Sequence, residues 1–126
     1  MEDGMRLGRA EISSGFFLVL AALLYFDTES LLLYAASAAV LHECAHMLAV
    51  KAKGGSVASL RLTAFGAEID LSGTLGMSFL SEALIYLSGP AANFALAFAA
   101  SLIGNIILSS ELLAFSGMNL VIGLFN

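Results

Sequence analysis

Three neighbouring polar side chains, His42, Glu43 and His46, could perform metal chemistry because they form the pattern H-E-x-x-H. They fall within residues 30–50, a largely apolar stretch that we interpret as one helix. Residues four apart share a helix face, so both imidazoles can bind one zinc ion while Glu43 reaches a water bound there. The sequence has no other histidine. We therefore predict a zinc site with Glu43 as its catalytic residue. The alternative is that neighbouring helices satisfy three ordinary polar side chains.

The surroundings of the motif favour the metal interpretation. Residues 31–41 and 47–50 are otherwise apolar or small. A charged side chain at the centre of a membrane helix costs roughly 2.5–3.5 kcal/mol, so Glu43 needs a partner there. Cys44 lies two residues from each histidine and therefore points to the opposite face of the helix. We interpret Cys44 as a small buried thiol rather than a ligand or a nucleophile.

The composition is typical of an integral membrane protein. The 126 residues fit one domain, 60% of them are hydrophobic and 12% charged, and the mean hydropathy is +0.94. The net charge of −5, with five scattered basic residues, leaves no cationic surface and argues against nucleic acid as a partner. A single cysteine excludes an internal disulfide.

A first apolar run, residues 12–26, precedes the motif helix. Its length falls short of a hydrocarbon core of ~30 Å, so we expect this helix to begin upstream near Leu7 or to lie shallow in the membrane. A cleaved signal peptide is disfavoured because the residues before the run are as acidic as they are basic. The acidic residues 27–29 predict a turn, with Ser30 as the N-cap of the motif helix.

The middle of the chain changes to a strand pattern. Apolar and polar residues alternate on both sides of residues 63–66, a segment that includes Phe65 and Gly66. This alternation predicts a short β-hairpin over residues 57–71. A two-stranded hairpin is marginal alone, so it has to pack against something else. Residues 73–81 predict a loop.

Two further apolar runs follow. Residues 82–108 predict a third helix, in which Pro90 either starts the main helix or kinks it. Asn93 must face protein rather than lipid, either as a polar link between helices or as an active-site group. Residues 112–126 predict a fourth helix. We expect the chain to be cut off within it, because this run has no basic flank, no glycine cap and too few residues to span comfortably.

These patterns predict an all-α polytopic membrane protein in one domain, residues 1–126. It has about four transmembrane helices, the last incomplete, and a small membrane-associated β-hairpin between helices 2 and 3. Basic residues precede the first span and follow the second, at Arg6, Arg9, Lys51, Lys53 and Arg61. Under the positive-inside rule, the N-terminus and residues 51–82 face the cytoplasm. His46 lies about one turn from Lys51, so the metal site is expected to open on that side.

In order and spacing, four segments resemble the site-2 protease family of intramembrane zinc metalloproteases. They are H-E-C-A-H at residues 42–46, Phe65-Gly66 in the hairpin, L-S-G-P-A-A-N at residues 87–93, and residues 119–126. Together they are far more specific than H-E-x-x-H alone. Residues 47–88 leave no room for the PDZ domain that many relatives insert there. The compact arrangement is similar to the sporulation branch, whose members process membrane-tethered sigma-factor precursors in the bacterial cell membrane.

The resemblance implies a role for each matching residue. His42 and His46 would ligate one Zn²⁺, and Glu43 would be the general base. Asn93, Phe65 and Gly66 would be active-site polar or substrate-binding candidates.

The third zinc ligand of the family is an aspartate in a motif that starts Asn-x-x-Pro and ends Asp-Gly. Asn126 fits the first asparagine, so this ligand is expected after Asn126, and the chain as given is expected to be inactive. The implied partners are a membrane-tethered protein substrate, such as a transcription-factor precursor, and the lipid bilayer.

Two other classes of function compete with the protease. Some zinc carriers use a similar His-Glu motif in a membrane helix, but they resemble H-E-x-x-H-E, and Met47 occupies the sixth place here. The chain also lacks a histidine-rich loop. The third interpretation is a non-catalytic membrane scaffold that keeps the fold without an assembled site.

Overall fold

A computed structural model describes residues 4–63, 66–73 and 75–125. This part of the chain forms four helices and four strands. In chain order they are β1 (Gly4–Leu7), β2 (Ala10–Ser13), α1 (Ser14–Phe26), α2 (Leu31–Ala52), β3 (Ser56–Thr63), β4 (Gly66–Ser72), α3 (Phe79–Ile107) and α4 (Ser110–Phe125). The four predicted helices and the predicted hairpin between the second and third are present. The class is nevertheless not purely α, because a four-stranded sheet accompanies the helices.

The start of the chain differs from the prediction. The first helix does not begin near Leu7: β1 and β2 form an antiparallel hairpin that turns at Gly8, whose φ of 63° is readily adopted by glycine. The helix begins at Ser14, and the hydroxyl of Ser13 accepts a hydrogen bond from the Phe16 amide at 3.2 Å. Because Ser13 caps the helix here, α1 starts later than expected and has 13 residues.

The sheet has the strand order β1-β2-β3-β4. The predicted hairpin is the antiparallel pair β3–β4, whose register runs from Ser56 opposite Ser72 to Thr63 opposite Gly66. Strand β2 pairs in parallel with β3, placing Ala10 opposite Leu60. The hairpin therefore packs beside the amino-terminal strands, while β4 stays at the edge of the sheet.

Helix α2 begins with a different cap from the one predicted. Ser30 precedes the helix, but its φ is 58° and its side chain makes no capping hydrogen bond. The carboxylate of Asp27 accepts hydrogen bonds from the Leu31 amide at 2.9 Å and the Leu32 amide at 3.0 Å. A negative charge is favourable at the positive end of the helix dipole, which explains why the aspartate rather than the serine caps α2.

Helix α3 begins at Phe79, three residues before the predicted start, with Ser78 as its N-cap. Pro90 consequently lies inside the helix and does not start it. One face of α3 is buried and packs against α2 and α4, and apart from Ile85 its residues are small or polar. Those residues are Ile85, Gly89, Asn93, Ala97, Ala100 and Gly104. Small side chains let the three helices approach closely, so the core lies between them.

Two of the described helices, α2 and α3, are long and apolar enough to cross a membrane, whereas α1 and α4 are shorter apolar helices. Helix α2 has 22 residues and α3 has 29, lengths of about 33 and 43 Å at 1.5 Å per residue. Large apolar side chains on their surfaces are exposed, including Leu48 at 68% and Phe98 at 73%. Such extensive exposed apolar surface indicates association with a membrane.

Candidate active site

Helix α2 brings His42 and His46 together on the face that packs against α3. The side chain of His42 is 1% exposed, and the ring centroids of the two histidines lie 4.6 Å apart. Their Nε2 atoms are 3.0 Å apart. The one-turn spacing of the motif therefore produces the shared point that the sequence predicted.

Asn93 fixes the orientation of the His42 ring. Its amide nitrogen donates to the Ala38 carbonyl oxygen at 3.2 Å and to Oδ1 of Asn119 at 2.8 Å, which defines which end of the amide is oxygen. That oxygen lies 2.5 Å from Nδ1 of His42. Because the amide oxygen can only accept, Nδ1 of His42 carries the proton, and Nε2 is left with its lone pair.

The ring of His46 is oriented by the backbone of α3. Its Nδ1 lies 2.7 Å from the carbonyl oxygen of Ile85, and a carbonyl oxygen can only accept. The hydroxyl of Ser88 donates to the same carbonyl at 2.6 Å and lies 3.2 Å from Nδ1 of His46. His46 thus also carries its proton on Nδ1 and presents Nε2 as a lone pair.

Two lone pairs that face each other at 3.0 Å repel, so the arrangement of His42 and His46 suits a cation bound by both. In a tetrahedral zinc site with bonds of about 2.0–2.1 Å, two nitrogen ligands lie about 3.3 Å apart. Ligating histidines usually donate their other ring N–H to an oxygen acceptor, as both rings do here. The alternative is an Nε2–H···Nε2 hydrogen bond, which would require one ring to be a doubly protonated imidazolium.

Gly89 lets α3 pack closely against the two imidazole rings. A Cβ built on this residue would lie less than 3.0 Å from Nε2 of both His42 and His46. Side-chain atoms do not occupy such positions, so any other residue would push the two rings out of place. The donor set of two Nε2 lone pairs fits a zinc ion.

Glu43 is half-buried and lines a cavity of about 160 Å³ beside the histidines. The cavity is bounded by α2, α3 and β4, and its other lining residues are His46, Met47, Ile69, Leu71, Ile85 and Tyr86. Ile69 and Leu71 are two apart on β4 and therefore face the same side of the sheet. The cavity therefore lies between Glu43, the predicted general base, and β4, the edge strand.

Of the remaining predicted site residues, one lies beside the histidines, one begins β4 and two are outside the described residues. Asn93 is part of the site and is fully buried. Gly66 begins β4, at the other end of the hairpin from Leu71. Phe65 and Asn126 lie outside the described residues. Within the described ranges, no group of three His, Cys, Asp or Glu side chains could hold a metal ion. The predicted third ligand therefore stays a prediction.

Two supports of the site had no assigned role in the sequence analysis, although Asn119 lies in one of the segments that resemble the family. Asn119 on α4 is fully buried, and its amide nitrogen donates to the Phe115 carbonyl oxygen at 2.9 Å, which leaves its oxygen as the acceptor for Asn93. The Ile85 carbonyl was invisible because the sequence carries no sign of which backbone atom a histidine will meet. A buried asparagine in an apolar helix was the available signal for Asn119.

Comparison with known proteins adds one relationship. No protein-family model and no curated protein matches the chain. Among solved structures, it is similar to a site-2 protease from Methanocaldococcus jannaschii, with 19% identity and a TM-score of 0.69. The match covers 99% of this chain and 63% of that one. The chain thus has the fold of part of a site-2 protease and spans less than two thirds of that structure's length.

Proposed function

We propose that the protein is the core of an intramembrane zinc metalloendopeptidase of the site-2 protease type. It hydrolyses a peptide bond in or near the transmembrane segment of a membrane-tethered protein. The observation that carries this proposal is the 3.0 Å approach of Nε2 of His42 to Nε2 of His46, with Nδ1 of each ring already facing an oxygen acceptor. The structural similarity to a site-2 protease supports it independently.

His42 and His46 would hold the zinc ion, and the third ligand would be the aspartate expected after Asn126. A bound zinc ion acts as a Lewis acid that polarises a carbonyl and makes water more acidic. The residues of this chain prepare the two ligands: Asn93 and the Ile85 carbonyl keep both protons on Nδ1. The histidines therefore need not lose a proton or rotate before binding.

Glu43 is the general base of the proposed reaction. Its carboxylate lines the cavity next to His46, where it can take a proton from the attacking water and pass it to the leaving amine. The walls of that cavity include the apolar side chains of Ile69 and Ile85.

The proposed substrate binds in an extended conformation along β4. A transmembrane helix has its backbone hydrogen bonds satisfied internally, so it must unwind before its peptide bond can be attacked. Strand β4 is at the edge of the sheet and borders the Glu43 cavity through Ile69 and Leu71. An unwound substrate segment could add to this edge as a further strand, with its side chains alternating toward and away from the cavity.

The proposed location is a bacterial cell membrane, with the amino terminus and the site opening on the cytoplasmic side. Support comes from the parallel pairing of β2 with β3, because strands of one sheet lie on the same side of a membrane. All five basic residues of the chain fall in or next to these segments. The positive-inside rule then favours the cytoplasm for that side.

The decisive experiment combines metal content with cleavage. The gene is first read past the codon for Asn126, and the protein that it encodes is produced in membranes with an epitope-tagged single-span reporter. Expected results are one zinc ion per chain and a reporter fragment whose new terminus lies in or near the span. Both should be lost in the double variant H42A/H46A. Zinc uptake into vesicles without cleavage would instead identify a metal carrier. A protein that neither cleaves the reporter nor takes up zinc would be a scaffold.

A further inference from the structure

A groove of about 530 Å³ lies on the face of α2 turned away from the histidines. Its α2 wall consists of Cys44, Met47, Leu48 and Lys51, which lie within about 60° of the side opposite His42 and His46 at 100° per residue. Arg9, in the turn between β1 and β2, and the first residues of β3 form the other wall. We call this feature the Arg9–Lys51 groove. The proposed protease chemistry does not use it.

Two cations, Arg9 and Lys51, line the groove. Lys51 lies in the last turn of α2 and is exposed, and Arg9 is also exposed. The guanidinium of Arg9 donates from Nη1 to the Val57 carbonyl oxygen at 3.4 Å, a neutral partner that leaves its charge in place. By contrast, the Arg61 guanidinium lies 3.3 Å from the Glu11 carboxylate and is already paired. Arg9 and Lys51 therefore offer two positive charges in a protein whose net charge is −5.

The rest of the α2 wall is apolar and runs along the helix. Cys44 lies seven residues before Lys51, a distance of about 10 Å along the helix axis. With α2 across a membrane, for which its length and composition suffice, Lys51 at the end of the helix would lie near the headgroups and Cys44 among the acyl chains. The groove thus combines two basic side chains, Arg9 and Lys51, with an apolar surface along α2.

We infer that the Arg9–Lys51 groove binds one anionic phospholipid, with the phosphate between Arg9 and Lys51 and an acyl chain along Cys44, Met47 and Leu48. A zwitterionic lipid carries a compensating cation in its headgroup, whereas an anionic lipid offers its full negative charge to the two basic side chains. Each basic residue near a membrane surface contributes about fivefold in affinity for anionic lipid. The inference needs the chain to lie in a membrane but needs neither zinc nor proteolysis.

The single cysteine provides the measurement. Cys44 lines the groove and is the one thiol in the sequence, so a membrane-permeant maleimide labels the protein only there. The labelling rate of the full chain in neutral detergent is measured against rising concentrations of short-chain phosphatidylglycerol, short-chain phosphatidylcholine or inorganic phosphate. We expect phosphatidylglycerol to slow the labelling at concentrations at which the other two have no effect.

Variants then test the cations. R9Q and K51Q should each raise the half-protective concentration of phosphatidylglycerol about fivefold. K53Q is the matched control, because Lys53 is exposed at the same end of α2 but does not line the groove. It should leave that concentration unchanged, and an equal effect of K53Q would reduce the inference to general surface charge.

Two outcomes in the unmodified protein would overturn the inference without any variant. Equal protection by phosphatidylcholine would show that the groove takes acyl chains regardless of headgroup. Protection by inorganic phosphate alone would show a site for a soluble anion. Since labelling requires no substrate, the groove and the protease proposal can each fail while the other stands.

Discussion

Nε2 of His42 and Nε2 of His46 lie 3.0 Å apart, while Nδ1 of each ring is already engaged by a carbonyl or amide oxygen. This relationship selects the Nδ1–H tautomer of both neutral rings. In that tautomer the two nitrogens that point at each other are acceptors, so the pair is suited to a cation rather than to a mutual hydrogen bond. The predictions below follow from this geometry and from the residues that maintain it.

Removing the oxygen that orients His42 should weaken metal binding. In Asn93→Ala the Nδ1 proton of His42 loses its acceptor, and we expect zinc affinity to fall 10–100-fold, the usual loss for partners of ligating histidines. Competition with a chromophoric chelator measures this affinity. The matched control is Asn105→Ala, since Asn105 lies on the same helix but is exposed and bonds only to Ser101. Equal affinity in both variants would contradict the orienting role of Asn93.

A methyl group at position 89 should block the site directly. In Gly89→Ala the Cβ would overlap Nε2 of both histidines, so we expect zinc to be absent from the purified protein. Metal analysis by mass spectrometry measures this. Gly117→Ala serves as the control, because a Cβ there meets nothing within 4 Å, and alanine in a helix is about 0.5–1 kcal/mol more stable than glycine. A zinc-loaded Gly89→Ala protein would show that the metal lies elsewhere.

Neutralising Glu43 should separate chemistry from metal binding. In Glu43→Gln we expect the zinc content to be unchanged and the cleavage rate to fall by about 10²–10⁴, the usual contribution of a general base. Cleavage of the tagged reporter, normalised to bound zinc, gives the comparison. Glu29→Gln removes a charge from the exposed turn before α2 and should cleave normally. A Glu43→Gln protein that cuts at the normal rate would end the assignment.

Proline in β4 should test binding of the substrate as a strand. In an antiparallel pair, backbone groups alternate between the partner strand and the free edge, so Glu68 and Ile69 differ in the direction of their N–H groups. Glu68→Pro and Ile69→Pro are made separately. One should disrupt β3–β4 pairing and lower stability. The other should keep stability and zinc yet cleave poorly, because the free edge has lost a donor. Normal cleavage by both folded variants would exclude edge binding.

Chelation should lower the thermal stability of the zinc-loaded protein. A ligand at 100 times its dissociation constant stabilises the folded state by about 2.7 kcal/mol, so a chelator should lower the melting temperature and added zinc should restore it. Fluorescence-detected unfolding in detergent measures this shift. H42A/H46A should melt at one temperature with or without chelator. If the chelator shifts both proteins equally, the stabilising ion is bound at a different place.

The two histidines of the site could be predicted from the sequence because they lie four residues apart in one helix. The spacing of His42 and His46 alone places both rings on one helix face, and in the structure Glu43 lines a cavity that His46 also lines. The role of Glu43 as general base stays a prediction. Asn93 was left between two roles. The structure shows that it links α2, α3 and α4 through Ala38 and Asn119 and that its Oδ1 lies 2.5 Å from Nδ1 of His42, whereas its role as an active-site group stays a prediction.

The amino-terminal strands escaped prediction because their partner is distant. Each strand has four residues, too few for a periodic pattern to stand out beside the apolar run that follows. Their stability depends on β3, about fifty residues later, as in the hydrogen bond from the Leu60 amide to the Arg9 carbonyl oxygen at 3.0 Å. Pairings of this kind cannot be read from neighbouring residues.

The parallel pairing of β2 with β3 also dictates an order of folding. At about 5–20 residues per second, the ribosome adds Leu60 roughly 2.5–10 seconds after Ala10, so the β1–β2 hairpin waits for its neighbour while α1 and α2 are made. During that interval the edge of β2 is open to other chains, a state that favours aggregation. The sheet closes only when Ser56–Thr63 has emerged, which makes the completion of β3 the step that commits the amino-terminal half of the protein to its native topology.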